Sequence, residues 1–437
     1  MNRTIMAKQT NPELEQKMMY SVFPRNHSKE GTFEKVTEDL DRIKSLGTDI
    51  LWLMPIYPTG KECRKGKDGS PYAIRDYRAI DPSMGTWQDL QKLVDEAHKR
   101  DMKVIVDIVF NHTSPDSVLW KEHPEWFYRT KDGKPASLVA EWSDIIDLDY
   151  SNPGLRKYLI DTLKQYAGIL DGFRCDVATR VPVSFWNEAR EECAKVNPDL
   201  IWLAESCHLP FTKFVRDHGR PAESDSDLYQ AFDVLYDYDA YPYAEKIFKE
   251  HKPMEEWVDA LIRQDAALPA NAIKLRYLEN HDQDRFAQFV KDPLLWKNWT
   301  ALQFCLKGLP LIYHGQEQKE SHRPSIFDQD PIKWKTDPEA AAWIARMAKI
   351  HKELLSPNAV IEYETDEKQH LLMILRDGLT GCFLLDDPID DEIQVDLEDG
   401  EYRNLFTDQD IVVKDHTVNK EVFPLLIKGE HLTRLIF

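Results

Sequence analysis

The sequence predicts an α/β fold with a closed (β/α)8 TIM barrel at its centre. Eight short apolar runs alternate with longer amphipathic segments between residues 19 and 355. The runs are almost continuously apolar, which is typical of parallel strands buried on both faces. The alternative is a doubly wound open sheet, but the stretch after the first run, FPRNHSKEG, lacks the glycine-rich phosphate turn expected there. The barrel is therefore the favoured fold.

The eight apolar runs are the predicted barrel strands. They lie at residues 19–24, 49–55, 103–110, 172–177, 200–206, 231–237, 273–279 and 309–315. Between them, apolar residues recur at intervals of three and four, which predicts helices. The clearest of these segments are residues 33–46, 87–100, 155–168, 183–196 and 340–355.

Two stretches depart from this alternation. Residues 113–152 show no clear helical pattern, and we expect a short excursion after the third strand, at the C-terminal mouth of the barrel. Residues 358–437 form short alternating runs between Gly, Asp and Asn turns, which predicts a C-terminal antiparallel all-β domain. The barrel itself is then predicted to comprise residues 1–112 and 153–357.

The charge balance bears on possible partners. With 56 Lys and Arg against 76 Asp and Glu, the formal net charge is −20. Nucleic acid and anionic membrane surfaces bind cationic faces, so we expect neither as a partner.

The six cysteines show no spacing typical of a disulfide framework or a zinc site, which favours a reducing compartment. No signal-peptide core or membrane span is apparent, so a cytoplasmic location is predicted. The oligomeric state is left open.

Acidic residues stand at or near the ends of four of the predicted strands. Asp107 follows the apolar residues 104–106 of the third run, Asp176 and Glu205 lie near the ends of the fourth and fifth, and Asp282 follows the seventh. Enzymes with this barrel build their sites at the C-terminal ends of the strands. Arg174 lies two residues before Asp176, hence on the same face of its strand, and is the expected partner of that carboxylate.

A group of carboxylates with Arg and His is compatible with metal binding or with acid–base and nucleophilic chemistry. A transition-metal site would favour convergent His residues, which are not apparent. Paired carboxylates match glycoside hydrolysis, in which one acid protonates the leaving oxygen and the other attacks or activates water. We expect Trp202 and Leu203 to give Glu205 an apolar surround, and Arg174 to keep Asp176 ionised.

The motifs resemble those of the α-amylase family of glycoside hydrolases (family 13), in an intracellular-type member. The stretches DIVFNH at 107–112, GFRCD at 172–176 and ENHD at 279–282, together with Glu205, are similar to its four signature regions in order and strand placement. The similarity extends over nearly the whole chain. It implies a barrel enzyme acting on α-glucosidic bonds, mainly α-1,4, with retention of configuration.

The resemblance also implies roles for individual residues. Asp176 is implied to be the nucleophile, Glu205 the general acid and then base, and Asp282 the third carboxylate, which binds sugar hydroxyls. Arg174 is implied to orient Asp176. Asp107 is implied to have a mainly structural role.

Three further residues are implied to bind the substrate. His112 and His281 would form hydrogen bonds with hydroxyls of the sugar, and Tyr72 would stack on its ring. No organic cofactor is implied. A calcium ion is common in the family where the excursion meets the barrel, and Asn111 and Asp147 are the corresponding candidate ligands.

The resulting hypothesis is a retaining hydrolase of α-glucans or malto-oligosaccharides. A transglycosylase or isomerase on α-glucosides would use the same three acids. A non-catalytic carbohydrate-binding or interaction member is an alternative of another class, and a metal-dependent barrel hydrolase would lose activity with a chelator. The family often has Lys-His after the nucleophile strand, whereas this chain has Thr179-Arg180. Linkage, chain length and endo or exo action therefore stay open.

Overall fold

A closed barrel of parallel strands forms the centre of the molecule. The computed structural model describes residues 6–139, 141–388 and 390–429. Within these ranges, eight parallel strands close the barrel in chain order, with the last strand beside the first. They are β1 (Met19–Val22), β2 (Ile50–Leu53), β3 (Lys103–Ile108), β4 (Gly172–Cys175), β5 (Ile201–Ala204), β6 (Val234–Tyr236), β7 (Ile273–Arg276) and β8 (Leu309–Tyr313). The predicted TIM barrel is confirmed, and each strand lies inside its predicted run.

Helices surround the barrel and connect its strands. They are α1 (Pro24–His27), α2 (Phe33–Glu38), α3 (Leu40–Ser45), α4 (Trp87–His98), α5 (Val118–Glu122), α6 (Pro153–Ala167), α7 (Val183–Ala194), α8 (Leu209–Asp217), α9 (Asp225–Leu228), α10 (Tyr241–Glu250), α11 (Glu255–Ala267), α12 (Phe286–Phe289), α13 (Pro293–Cys305) and α14 (Pro338–Leu354). None of the helices in the described ranges is long and apolar enough to cross a lipid bilayer.

The helix predicted over residues 33–46 is interrupted. Asp39 separates α2 from α3, and its backbone leaves the helical conformation with ψ near 2°. Its carboxylate binds the Arg42 guanidinium and lies 3.2 Å from Nε2 of His27. The contact with His27 draws Asp39 toward α1, which the periodicity of a single segment cannot indicate.

The strands that carry the acidic residues lie side by side. β3 pairs with β4, and β4 pairs with β5. A Cβ atom added at Gly172 would lie 2.2 Å from the carbonyl oxygen of Ile201, so this position requires glycine. The close approach of β4 to β5 brings Arg174, Asp176 and Glu205 to neighbouring positions at one end of the barrel.

The excursion after β3 starts and ends in a small antiparallel sheet. Residues 112–113 pair with residues 146–147, with His112 opposite Asp147. The short helix α5 lies between them, although the sequence shows no clear helical pattern there. Because this two-stranded pair continues directly from β3, the excursion lies over the C-terminal mouth of the barrel.

The chain continues into antiparallel strands after the barrel. They are β9 (Ile361–Asp366), β10 (Leu371–Arg376), β11 (Leu379–Leu384), β12 (Glu392–Gln394), β13 (Gly400–Asn404), β14 (Gln409–Val413), β15 (Thr417–Asn419) and β16 (Leu425–Lys428). β9, β10, β11 and β16 form one sheet, and β12–β15 and β13–β14 are two-stranded pairs. A buried ion pair of 2.7 Å joins Arg376 to Glu15 of the barrel part. The predicted C-terminal antiparallel fold is confirmed for the described residues, while residues 430–437 lie outside them.

Candidate active site

A pocket of about 300 Å³ opens at the C-terminal ends of the barrel strands. Asp176 and Glu205 directly follow β4 and β5, and Asp282 lies in the loop after β7. All three carboxylates line the pocket. Asp107 lies within β3, below the pocket, and is fully buried. The structure therefore brings the four predicted acids to the end of the barrel where such enzymes bind substrate.

A larger cavity of about 920 Å³ lies at the opposite end of the barrel. Its walls include Lys17, Asp49, Lys103 and Asp171, which precede or begin their strands. Acidic and basic side chains are mixed there, and His98 and Asp171 already form a pair at 2.7 Å. Because chemistry rather than volume identifies a catalytic site, the smaller pocket with converging carboxylates is the candidate.

Arg174 is the centre of the carboxylate cluster. Its Nη1 lies 2.8 Å from Oδ1 of Asp107 and 2.8 Å from Oδ1 of Asp176, and its Nη2 lies 3.0 Å from Oε2 of Glu205. The Arg174 side chain has no exposed surface. One buried guanidinium thus orients three carboxylates, including the predicted partner Asp176.

The charges around Arg174 do not balance, because three carboxyl groups share one cation. Burial raises the pKa of Asp176 well above its ordinary value, and the Glu205 carboxylate raises it further. Arg174 opposes this shift without cancelling it. Burial also raises the pKa of Asp107, to about 7. Arg174 lowers the pKa of Asp176, as expected, but burial raises that pKa by more.

Polar contacts position Glu205, and the predicted apolar contact with Trp202 is not formed. The backbone N–H of Val177 donates to Oε2 of Glu205 at 2.7 Å. Val177 has a φ of 42°, a left-handed conformation that turns the chain after β4 toward Glu205. Trp202 packs instead against Phe173 and Phe232, away from the pocket. The prediction for Trp202 is wrong, because a residue three positions before Glu205 lies on the opposite face of a strand.

Tyr72, His281 and Asp282 form the next wall of the pocket. The Tyr72 hydroxyl lies 2.7 Å from Nε2 of His281 and donates to Oδ2 of Asp107 at 3.1 Å. The Tyr72 and His281 rings stack with centroids 5.4 Å apart. Burial, followed by the Arg174 charge, lowers the pKa of His281 to about 3. The imidazole is therefore neutral at ordinary pH and lies 3.2 Å from Oδ2 of Asp282.

His112 lies on the excursion side of the same pocket. Burial lowers its pKa to about 4, so this imidazole is also neutral at ordinary pH. Its Nδ1 lies 2.9 Å from the side-chain amide nitrogen of Asn111. The structure thus brings the predicted substrate-binding residues Tyr72, His112 and His281 to the pocket that contains the three acids.

Comparisons with known proteins identify the family of this chain. A family model described as "Alpha amylase, catalytic domain" matches residues 20–353, which is most of the chain. The chain belongs to the α-amylase family. A second model, "Bacterial Alpha amylase C-terminal domain", matches residues 351–427. The resemblance of the sequence motifs to this family is confirmed.

Individual members of the α-amylase family are similar over different lengths. A crystal structure of an alpha-amylase from Lactobacillus plantarum is 42% identical, with a TM-score of 0.90, and the match covers 96% of this chain and 100% of that one. The alpha-amylase MalA of Haloarcula japonica is 28% identical over 73% of this chain, which spans 46% of the length of that protein. The trehalose synthase/amylase TreS of Mycolicibacterium smegmatis is 26% identical over 75% of this chain and 66% of its own length.

The sequence did not identify several residues that contact the site of this α-amylase family member. Nε of Arg174 donates to the Tyr236 hydroxyl at 3.2 Å, and the Tyr238 hydroxyl lies 3.4 Å from Oδ2 of Asp282. Tyr236 is the last residue of β6, and Tyr238 directly follows the sixth apolar run, so their position at a strand end was a usable signal. Trp142 lines the pocket itself but comes from the excursion, where nothing in the sequence pattern separates it from a packing residue.

The residues predicted to bind calcium lie close to a different cation. Oδ2 of Asp147 is 2.6 Å from Nη2 of Arg180, and both side chains are buried. The amide nitrogen of Asn111 faces His112. Calcium requires six to eight oxygen ligands, and the described residues contain no group of three or more His, Cys, Asp or Glu arranged around a metal position. The residues present do not fit a calcium shell.

Proposed function

We propose that this protein is a retaining hydrolase of α-glucosidic bonds, mainly α-1,4, in α-glucans or malto-oligosaccharides. The observation that carries the proposal is the contact of Asp176 and Glu205 with neighbouring nitrogens of one guanidinium. In retaining glycoside hydrolases the two carboxyl groups lie about 5–5.5 Å apart, leaving no room for a water between acid and nucleophile. Two carboxylates on one guanidinium support such a short separation.

The proposed reaction is a double displacement. Asp176 attacks the anomeric carbon while Glu205 donates its proton to the leaving glycosidic oxygen, so that one C–O bond forms and another breaks. A water molecule then attacks the glycosyl-enzyme, Glu205 accepts its proton, and Asp176 leaves as a carboxylate.

The remaining pocket residues bind and orient the sugar. Asp282 is the exposed carboxylate of the group, with 39% of its side chain accessible in the pocket, so it is available to accept hydrogen bonds from sugar hydroxyls. Neutral imidazoles at His112 and His281 can each donate a hydrogen bond without adding a buried charge. Asp107 contacts Arg174 and Tyr72 rather than the open pocket, which supports a positioning role.

Transfer of the glycosyl group to a second sugar is the other candidate reaction. Similarity to a protein with the name trehalose synthase/amylase supports transfer as a second candidate. The first displacement would be the same in both reactions. The two reactions differ only in whether water or a sugar hydroxyl attacks the intermediate. Because both reactions use the same three acids, the products distinguish hydrolysis from transfer and the catalytic residues do not.

Product analysis is the experiment that tests the proposed hydrolysis. Incubation with maltoheptaose is expected to give shorter maltodextrins whose new reducing ends are first formed as the α-anomer, because two inversions restore the configuration. Chromatography over time and proton NMR in the first minutes measure both quantities. The Asp176→Asn variant, prepared in parallel, corrects for glucosidases of the expression host.

Two outcomes would contradict hydrolysis with retention. Products longer than maltoheptaose, or conversion of maltose into a non-reducing disaccharide, would identify transfer or isomerisation. A β-anomer formed first would require a single displacement and would reject Asp176 as a nucleophile. Maltose, soluble starch, pullulan, isomaltose and sucrose extend the same assay to linkage and chain length.

The acid limb of the activity profile is expected to lie above the ordinary Asp pKa of about 3.9. The nucleophile must be ionised, and burial together with Glu205 raises the pKa of Asp176. A raised pKa means that Asp176 binds a proton at higher pH, so kcat/KM falls earlier on acidification. The measurement is kcat/KM for a chromogenic maltoside against pH, with the melting temperature recorded at each pH. A plateau that continues below about pH 4, where an ordinary Asp protonates, would contradict the shift.

A further inference from the structure

A buried ion pair joins the turn after the nucleophile strand to the excursion. Arg180 ends a single helical turn, Ala178–Arg180, which begins two residues after Asp176. Its Nη2 lies 2.6 Å from Oδ2 of Asp147, and the same oxygen accepts a hydrogen bond from the backbone N–H of Leu138 at 2.9 Å. The exposed fractions of the Arg180 and Asp147 side chains are 4% and 2%. The pair is therefore desolvated, and the removal of one partner leaves a buried charge.

A divalent cation at this position would be repelled by Arg180. The guanidinium already neutralises Asp147, and a second, doubly charged group within a few Å would face its positive charge at low dielectric. Oδ1 of Asp147 and Nη1 of Arg180 have no hydrogen-bond partner among the described residues. This one carboxylate oxygen can accept a hydrogen bond from a water molecule. Calcium takes six to eight oxygen ligands, and one oxygen does not provide them.

Arg180 also contacts the wall of the pocket. Its guanidinium carbon lies 5.6 Å from the centroid of the Trp142 ring, and the Trp142 and His112 rings are 6.0 Å apart. Asp147 is opposite His112 in the small sheet at the base of the excursion. Trp142 and His112 both line the pocket. The cation at Arg180 thus fixes the two excursion residues that face the candidate active site.

We infer that the Arg180 guanidinium is a built-in cation that fastens the excursion to the barrel, so that the protein folds and acts without calcium. The charge that a bound metal would supply at this junction is part of the chain. Arg180 is a positioning residue, since it reaches the pocket through Asp147 and Trp142. The folding part of this inference is independent of the proposed function, because it needs no substrate.

Thermal unfolding of the wild-type protein tests the absence of a metal requirement. The melting temperature in excess EDTA is expected to agree within about 1 °C with that in millimolar calcium chloride, since a ligand that binds only the folded state would raise it. Metal analysis of the untreated protein is expected to find no stoichiometric calcium. A fall of more than about 5 °C in EDTA that calcium reverses would overturn the inference.

Variants test the positioning role. Arg180→Ala is expected to lower the melting temperature by at least about 5 °C, because Asp147 is left as an unpaired buried charge. It is also expected to raise the KM for maltoheptaose more than it lowers kcat. The displaced Trp142 would contact the sugar in the ground state as well as in the transition state, so its loss weakens binding of both. Arg180→Lys keeps the charge but not the planar fork, so an intermediate loss in both quantities is expected.

Arg190→Ala is the matched control. Arg190 binds Asp233 at 3.0 Å in a largely buried ion pair at the opposite end of the barrel. This variant is expected to lower the melting temperature without changing the KM. Equal KM values in Arg180→Ala and wild type, or the same rise in Arg190→Ala, would reject the positioning role. If Arg180→Ala does not fold, Arg180→Lys and the calcium comparison on the wild type decide the inference.

Discussion

Asp176→Asn is expected to lower kcat/KM on malto-oligosaccharides by at least about a thousandfold, roughly 4 kcal/mol of transition-state stabilisation. The carboxamide is nearly isosteric and its oxygen can still accept from Nη1 of Arg174, so the fold should be preserved. It cannot form the glycosyl-enzyme, because a neutral amide is a poor nucleophile. Initial rates on maltoheptaose, together with the melting temperature, measure the effect.

Asp176→Ala adds a stereochemical test of the same role. Truncation leaves space beside Arg174 for a small anion, and azide can then attack the anomeric carbon directly. A single displacement inverts the configuration, so the expected product of an activated α-maltoside is the β-glycosyl azide. Activity of Asp176→Ala within about tenfold of wild type would reject the assignment, since one tenfold step is only about 1.4 kcal/mol.

Glu279→Gln serves as the control for loss of a buried strand-end acid. Glu279 belongs to the same sequence motif as Asp282, but it is paired with Arg285 at 2.6 Å and with the backbone N–H of Phe286. Its contacts are structural, and it lies outside the pocket lining. The variant is expected to melt at a lower temperature while the folded enzyme retains kcat/KM.

The barrel was predictable because its information is local. Each strand is a short apolar run, and the order of strands around a parallel barrel follows the order along the chain. What could not be predicted depends on distant contacts. The break at Asp39 comes from its pairing with His27 and Arg42, and the excursion is organised around the pair of Asp147 and Arg180.

Contacts within one strand of the candidate site were predictable, whereas contacts between strands and loops were not. Strand periodicity placed Arg174 beside Asp176, since residues two apart share a face, and the structure confirms that contact. The same rule, applied to Trp202, would have directed it away from Glu205. The net sign of the pKa shift at Asp176 depends on burial and on Glu205 from the next strand, which spacing within one strand does not reveal. Trp142 comes from the excursion, a loop whose course the sequence does not determine.

Glu205→Gln is expected to reduce kcat/KM on maltoheptaose by about 10²–10⁴-fold, the usual contribution of general acid–base catalysis. The amide oxygen can still accept from the backbone N–H of Val177, so the pocket should keep its shape. Without a proton donor, the glycosidic oxygen leaves poorly. A substrate whose leaving group needs no proton, such as α-maltosyl fluoride, should therefore form the glycosyl-enzyme at a rate much closer to that of wild type.

The second step of Glu205→Gln distinguishes its role from that of Asp176. No general base is present to activate water, so the glycosyl-enzyme should accumulate and azide, which needs no deprotonation, should accelerate turnover. Because Asp176 still performs the first inversion, azide is expected to give the α-glycosyl azide, opposite to the product of Asp176→Ala. An equal loss on maltoheptaose and on the fluoride, or a β-azide from Glu205→Gln, would assign the two acids differently. Opposite anomers from the two variants can arise only if one carboxylate forms the covalent bond and the other transfers the proton.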